Sequence, residues 1–118
     1  MESMHTIREE LRQPSQDLRE LIPDVLKGHA ETAAAAMREG ELTRGVKELL
    51  AIVIAITREC DGCIVAHTRG AAQQAVTRQQ LAEAIGVAIG MNGGPGTVWG
   101  PRALRAFDEA VAERAQKA

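Results

Sequence analysis

The stretch "RGVKELLAIVIAITRE", residues 44–59, decides the fold. Its centre, Leu49 to Ile56, is apolar at every position, so by length alone it could be a buried strand or part of a buried helix. Three features favour helix. Thr43 stands where an N-cap belongs, the run continues a charged turn, and two of its residues, Ala51 and Ala55, are strong helix formers. A helix that is apolar all round must be covered, at the centre of a domain or between subunits.

Helical patterns extend outward on both sides. "TIREELRQ" (6–13) is expected to stop at Pro14, where the ring blocks a continuing helix, with Ser15 capping a short second segment. "IPDVLKGHAETAAAAMREG" (22–40) puts Pro23 in a first turn and Gly40 at a C-terminus, predicting a helix over 23–39. Beyond a break at Cys60 to Gly62, "CIVAHTRGAAQQA" is again helical. Thr77 and Gln80 have capping-box spacing, and they open a helix whose Leu81, Ala84, Ile85, Ala88 and Ile89 form one apolar stripe. "NGGPG" (92–96) reads as a loop into a last helix from about Val98 or Pro101. Its glycines lack the G-x-G-x-x-G spacing and the preceding strand of a nucleotide cradle. The expectation is an all-α bundle of about six helices.

Composition agrees. The 118 residues suit one domain spanning 1–118, with 1–20 as an N-terminal helical extension. One Trp, one Phe and no Tyr leave a core of Ala, Leu, Ile and Val, whose small side chains let helices approach closely. A net charge of −2 with both signs interspersed offers no footprint for nucleic acid or an anionic membrane. The N-terminus "MESMHTIREELRQ" lacks the basic start and apolar run of a secretory signal, and no segment approaches the ~20 apolar residues of a membrane span. The expected location is therefore cytoplasmic, where a close cysteine pair points to catalysis or metal binding rather than a structural staple.

Both cysteines and one of the three histidines fall within "CDGCIVAH", residues 60–67. In a helix starting near Cys60 or Asp61, Cys60, Cys63 and His67 line one face. Cysteines three apart across a helix start fit the Cα spacing of a disulfide, and free amide N–H groups there favour a thiolate. His67, one turn below Cys63, can take its proton, leaving Cys60 to resolve an oxidised Cys63. Two other readings stay open. The pair can be small buried hydrophobes, or Cys60, Cys63 and His67 can be three zinc ligands completed by Glu48, His29 or His5. His5 and His29 otherwise read as solvent-facing or packed helix residues. Glu48 is either a first-turn acid complementing the dipole of its helix or, if the helices flanking the break fold back as a hairpin, a partner of His67, directly or through one water.

Glu48, Cys60, Cys63 and His67, with "IPDVLKG", "KELLAIVIAI" and "MNGGPGTVWGPRAL", resemble the AhpD-like alkylhydroperoxidases within the carboxymuconolactone decarboxylase family, over about residues 20 to 110. The resemblance implies thiol-dependent peroxidase or disulfide reductase activity without a cofactor. It also implies roles: Cys63 as the peroxide-attacking thiol, Cys60 as the resolving one, and His67 with Glu48 as a proton relay acting through water. Asp61 and Gly62 fill the C-x-x-C interior where the hydroperoxidase proper has a polar pair including His. The cysteine pair argues against lactone decarboxylation, while another small carbonyl substrate and a non-catalytic redox sensor or metal-stabilised protein remain as alternatives. The implied partners are a hydroperoxide, a protein or small-thiol reductant, and further copies of the chain, as a hexamer or next a trimer.

Overall fold

The structure, a computed structural model, describes residues 2–117 as six helices. These are α1 (Met4–Leu21), α2 (Pro23–Met37), α3 (Arg44–Thr57), α4 (Asp61–Gln73), α5 (Arg78–Asn92) and α6 (Gly94–Lys117). The ambiguous apolar run is α3, and the Thr43 hydroxyl caps it by accepting from the Val46 N–H. α3 and α4 lie together, and α5 and α6 complete the bundle around them. Ile52, Ile56, Ile64, Leu81 and Phe107 form its core, with Ala55, Ala71, Ala88, Ala103 and Ala106 filling the gaps between closely spaced helices.

The α3–α4 turn sets up everything that follows. Glu59 takes a positive φ of 53° and closes α3 as a Schellman motif, in which the Cys60 N–H donates to Ala55 O (3.0 Å) and the Glu59 N–H to Ile56 O (3.1 Å). The chain reverses at once, and Cys60 is the N-cap of α4. α4 ends in the same way through Ala75, at φ 55°. The Thr77–Gln80 capping box opens α5 as its spacing predicts.

Three boundaries differ from the sequence reading. α1 does not stop at Pro14 but runs through it to Leu21. The missing N–H frees only the Glu10 carbonyl, on a stretch exposed from Glu9 onward where water satisfies it, while Met4 and Ile7 dock the other end beside Val65 and Ala110. α2 ends at Met37 rather than 39, because the Lys47 ammonium reaches across to the carbonyls of Ala36 and Arg38. The expected 92–96 loop shrinks to one residue. Gly93, at φ 68°, turns the chain alone; Pro95 then occupies a first turn of α6, and Pro101 lies inside that helix.

The apolar circumference of α3 divides into two stripes. Glu48, Ile52, Ala55 and Ile56 are buried, whereas Val46, Leu50 and Ile54 are 41%, 50% and 61% exposed on the opposite side. α2 carries no buried residue at all. Val87, Met91 and Val98 extend the uncovered apolar surface onto α5 and α6.

Candidate functional site

The site is assembled on the α3–α4 hairpin. Glu48 sits one turn before Ile52 on the inward stripe of α3, so the phase set by the Thr43 cap sends a carboxylate into the core. The residue is 2% exposed. A buried carboxylate requires a partner, and His67 Nδ1 lies 2.9 Å from Glu48 Oε1. The contact is direct and leaves no gap for a bridging water. Nor does Glu48 serve as a first-turn acid complementing the dipole of its helix, because it lies beyond the first turn of α3 and its side chain crosses to α4. Nδ1 faces the carboxylate, which leaves Nε2 as the ring nitrogen turned away from Glu48, and the ring is one-third exposed.

One turn toward the α4 N-terminus, Cys60 and Cys63 are joined in a disulfide with a Cα–Cα distance of 5.3 Å. The two sulfurs are not equivalent. Cys60 is half-buried, and its Sγ accepts a hydrogen bond from the Cys63 N–H at 3.3 Å, the position of a side-chain N-cap. Cys63 is exposed in the protomer. Asp61 turns its carboxylate back onto the Gly62 N–H at 2.6 Å, satisfying another first-turn amide. Both remaining histidines, His5 and His29, are exposed on α1 and α2.

Gly70 is a site residue that the sequence reading missed. It is buried on the same face of α4 as Cys63 and His67, and a Cβ there would overlap Glu48 Oε2 and come within 2.5 Å of Cδ. Glu48 thus occupies the volume that any other residue at 70 would fill. The signal was present as an isolated glycine inside "HTRGAA", a helix interior where glycine costs about 1 kcal/mol relative to alanine and so calls for a packing reason.

Fold and hairpin together define an all-α protein with a C-x-x-C disulfide at a helix N-terminus beside a buried carboxylate–imidazole pair. The sequence model of the carboxymuconolactone decarboxylase family matches residues 23–110, and the chain belongs to that family. An uncharacterized protein of Cupriavidus necator is 38% identical over 86 residues, covering 73% of this chain and 76% of its own. An uncharacterized protein from the cox locus of Paracoccus denitrificans is 35% identical over 71 residues, 60% of this chain and 64% of its own. The crystal structure of an apo carboxymuconolactone decarboxylase family protein from Legionella pneumophila superposes with a TM-score of 0.88 at 31% identity, over 92% of this chain and 96% of that one.

A double-mutant cycle tests the Gly70 assignment. At an exposed helix position Gly→Ala stabilises by about 0.5–1 kcal/mol. Gly70→Ala should instead destabilise by about 1–3 kcal/mol, the usual cost of overpacking, because it evicts Glu48. In a Glu48→Ala background the same substitution should become neutral or stabilising. Chemical denaturation of the four proteins reads the coupling, and additive effects would show that Gly70 does not hold the space for Glu48.

Proposed function

We propose that this protein is a thiol-dependent peroxidase and disulfide oxidoreductase of the AhpD-like type. The observation that carries the reading is the buried Glu48–His67 contact, on the same helix face as the Cys60–Cys63 disulfide and one turn from it. A structural disulfide does not need a base, oriented by a buried carboxylate, beside it. Reduction releases two thiols. His67 Nε2 takes the proton of Cys63, and Glu48 holds the ring in the tautomer that can do so. The Cys63 thiolate attacks one oxygen of a hydroperoxide, the O–O bond breaks, and the alcohol leaves with the proton that His67 returns. Cys63 is then a sulfenic acid. Cys60, whose thiolate is stabilised by the Cys63 N–H and the α4 N-terminus, attacks that sulfur; the S–O bond breaks, the hydroxyl takes the proton given up by the Cys60 thiol and departs as water, and the disulfide re-forms. A dithiol or two monothiols restore the reduced pair. The reaction uses no cofactor and suits a reducing compartment such as the cytoplasm.

Assembly is part of the same reading. The exposed stripe of α3, the uncovered α2 and the apolar residues of α5 and α6 suit a homo-oligomer, with a hexamer first and a trimer next. In the protomer Cys63 is the open sulfur and Cys60 the sheltered one.

After one equivalent of hydroperoxide, the reduced protein should lose two hydrogens by mass spectrometry, and Cys60→Ser should trap a sulfenic acid on Cys63. A sulfenic acid found only on Cys60, in Cys63→Ser, would reverse the two roles. Glu48→Gln should fold and slow peroxide turnover by about 10²-fold, within the range for general base catalysis; unchanged turnover would remove Glu48 from the relay. Light scattering behind a sizing column should return a multiple of the 12.7 kDa chain. A folded, monodisperse monomer at micromolar concentration would refute the assembly.

A further inference from the structure

The reduction half of this cycle needs an electron donor, and the surface beside the disulfide bears on its chemistry. α1 lies along α4 and leaves between them an open groove of about 920 Å³. The α4 wall is Gly62, Val65, Ala66 and Arg69, spaced i, i+3, i+4 and i+7. Cys63 and His67 each follow one of these residues in the chain. The groove face and the redox face of α4 are thus adjacent strips of one helix, and a ligand lying along the groove reaches Cys63 by passing over the edge at Gly62.

The lining is cationic. Arg8, Arg12, Arg19 and Arg69 stand against two acids, Glu9 and Glu113. Glu113 is shared by Arg8 at 3.6 Å, Arg69 at 4.0 Å and Lys117 at 3.0 Å, which leaves those cations under-compensated. Its carboxyl is held below the usual range by the Lys117 hydrogen bond first and by Arg69 and Arg8 after it. Among the described residues Arg12 pairs only with Glu9, at 3.5 Å on the same exposed helix surface, a pair that is easily exchanged for a ligand. Arg19 has no ion-pair partner among the described residues. The negative charge of this region gathers outside the lining, where Glu2, and more weakly Asp61, push the Glu10 carboxyl above its ordinary value.

Resting on the redox reading of the disulfide, we infer that the α1–α4 groove binds the reductant, and that this reductant is a low-molecular-weight thiol bearing carboxylates. Its carboxylates bridge to Arg12 and Arg19, and its thiolate meets the exposed sulfur of Cys63. The S–S bond breaks toward Cys60, the better leaving group, because the Cys63 N–H and the helix terminus stabilise its thiolate. The product is a mixed disulfide between Cys63 and the ligand. A second ligand thiolate attacks the ligand sulfur of that mixed disulfide, releasing the ligand's own disulfide and the Cys63 thiolate. Two thiols are oxidised, one protein disulfide is reduced, and the two thiol protons end on Cys60 and Cys63. Three of the four arginines come from α1, upstream of the residues 23–110 that the family model matches, so the preference is tied to the N-terminal extension.

A charge series of thiols tests this. The oxidised full-length protein is reduced with mercaptosuccinate, 2-mercaptoethanol or cysteamine at equal thiolate concentration, quenched with an alkylating agent and read by mass. Mercaptosuccinate should react fastest and cysteamine slowest. The mercaptosuccinate to 2-mercaptoethanol rate ratio should fall roughly tenfold in Arg12→Gln/Arg19→Gln, both exposed positions, as expected for lost steering and binding by local charge. About 0.5 M NaCl, where the screening length is ~4 Å, should have the same effect on the wild type. Ratios equal in wild type and variant, or a variant that slows all three thiols alike, would overturn the inference. So would a variant that keeps its thiol preference and instead loses its rate of oxidation by a carboxylated hydroperoxide, which would assign the groove to the oxidant. A disulfide that none of the thiols, nor dithiothreitol, reduces would overturn the redox reading itself, an outcome separate from reduction that ignores charge.

Discussion

A carboxylate buried in an alanine-rich core is the constraint around which this hairpin is built. Glu48 is 2% exposed, and an unpaired charge at that depth would cost several kcal/mol, so the structure is committed to bringing His67 to it. The 2.9 Å contact needs three conditions at once. Thr43 must start α3 in the phase that turns position 48 inward, Glu59 must reverse the chain tightly enough to lay α4 on α3, and residue 70 must have no side chain. Each condition is met by a single residue type or conformation. A failure in any one breaks the Glu48–His67 contact.

The same tight turn gives the two cysteines different chemistry. Because Glu59 closes α3 with no spare residue, Cys60 becomes the N-cap of α4, where an amide N–H points at its sulfur, while Cys63 moves one turn up to the exposed surface. A thiolate is favoured on the first and access on the second. This asymmetry matches a pair in which the outer sulfur exchanges with substrates and the inner one attacks or leaves. The α1–α4 groove runs along the strip of α4 adjacent to these two residues.

Small side chains set the remaining architecture. Alanines at 55, 71, 88, 103 and 106 bring four helices close together, and that compact core leaves no volume for the outer stripe of α3 or for α2. The apolar area saved by close packing inside reappears as uncovered surface outside, which is the physical ground for the assembly proposed above. Among the described residues no helix is long and apolar enough to cross a membrane.

Local chemistry made much of this legible in the sequence. Helix class, the Thr43 cap, the Thr77–Gln80 capping box and the shared face of Cys60, Cys63 and His67 all depend on neighbours within about one turn, so spacing reports them, whereas the break expected at Cys60 to Gly62 falls two residues earlier, between Thr57 and Asp61. What spacing could not report depended on solvent or on distant residues. Pro14 is tolerated because the carbonyl it frees faces water, α2 stops early because Lys47 reaches across from α3, and one glycine suffices after Asn92 because α5 and α6 already pack against each other. Nineteen residues separate Glu48 from His67 in sequence, and whether they touch directly or through water was open until the hairpin register was known. Gly70 shows the division most clearly. Its helix-breaking cost is visible in the sequence, but the carboxylate that requires its missing side chain comes from another helix, and only the tertiary structure brings that helix to it.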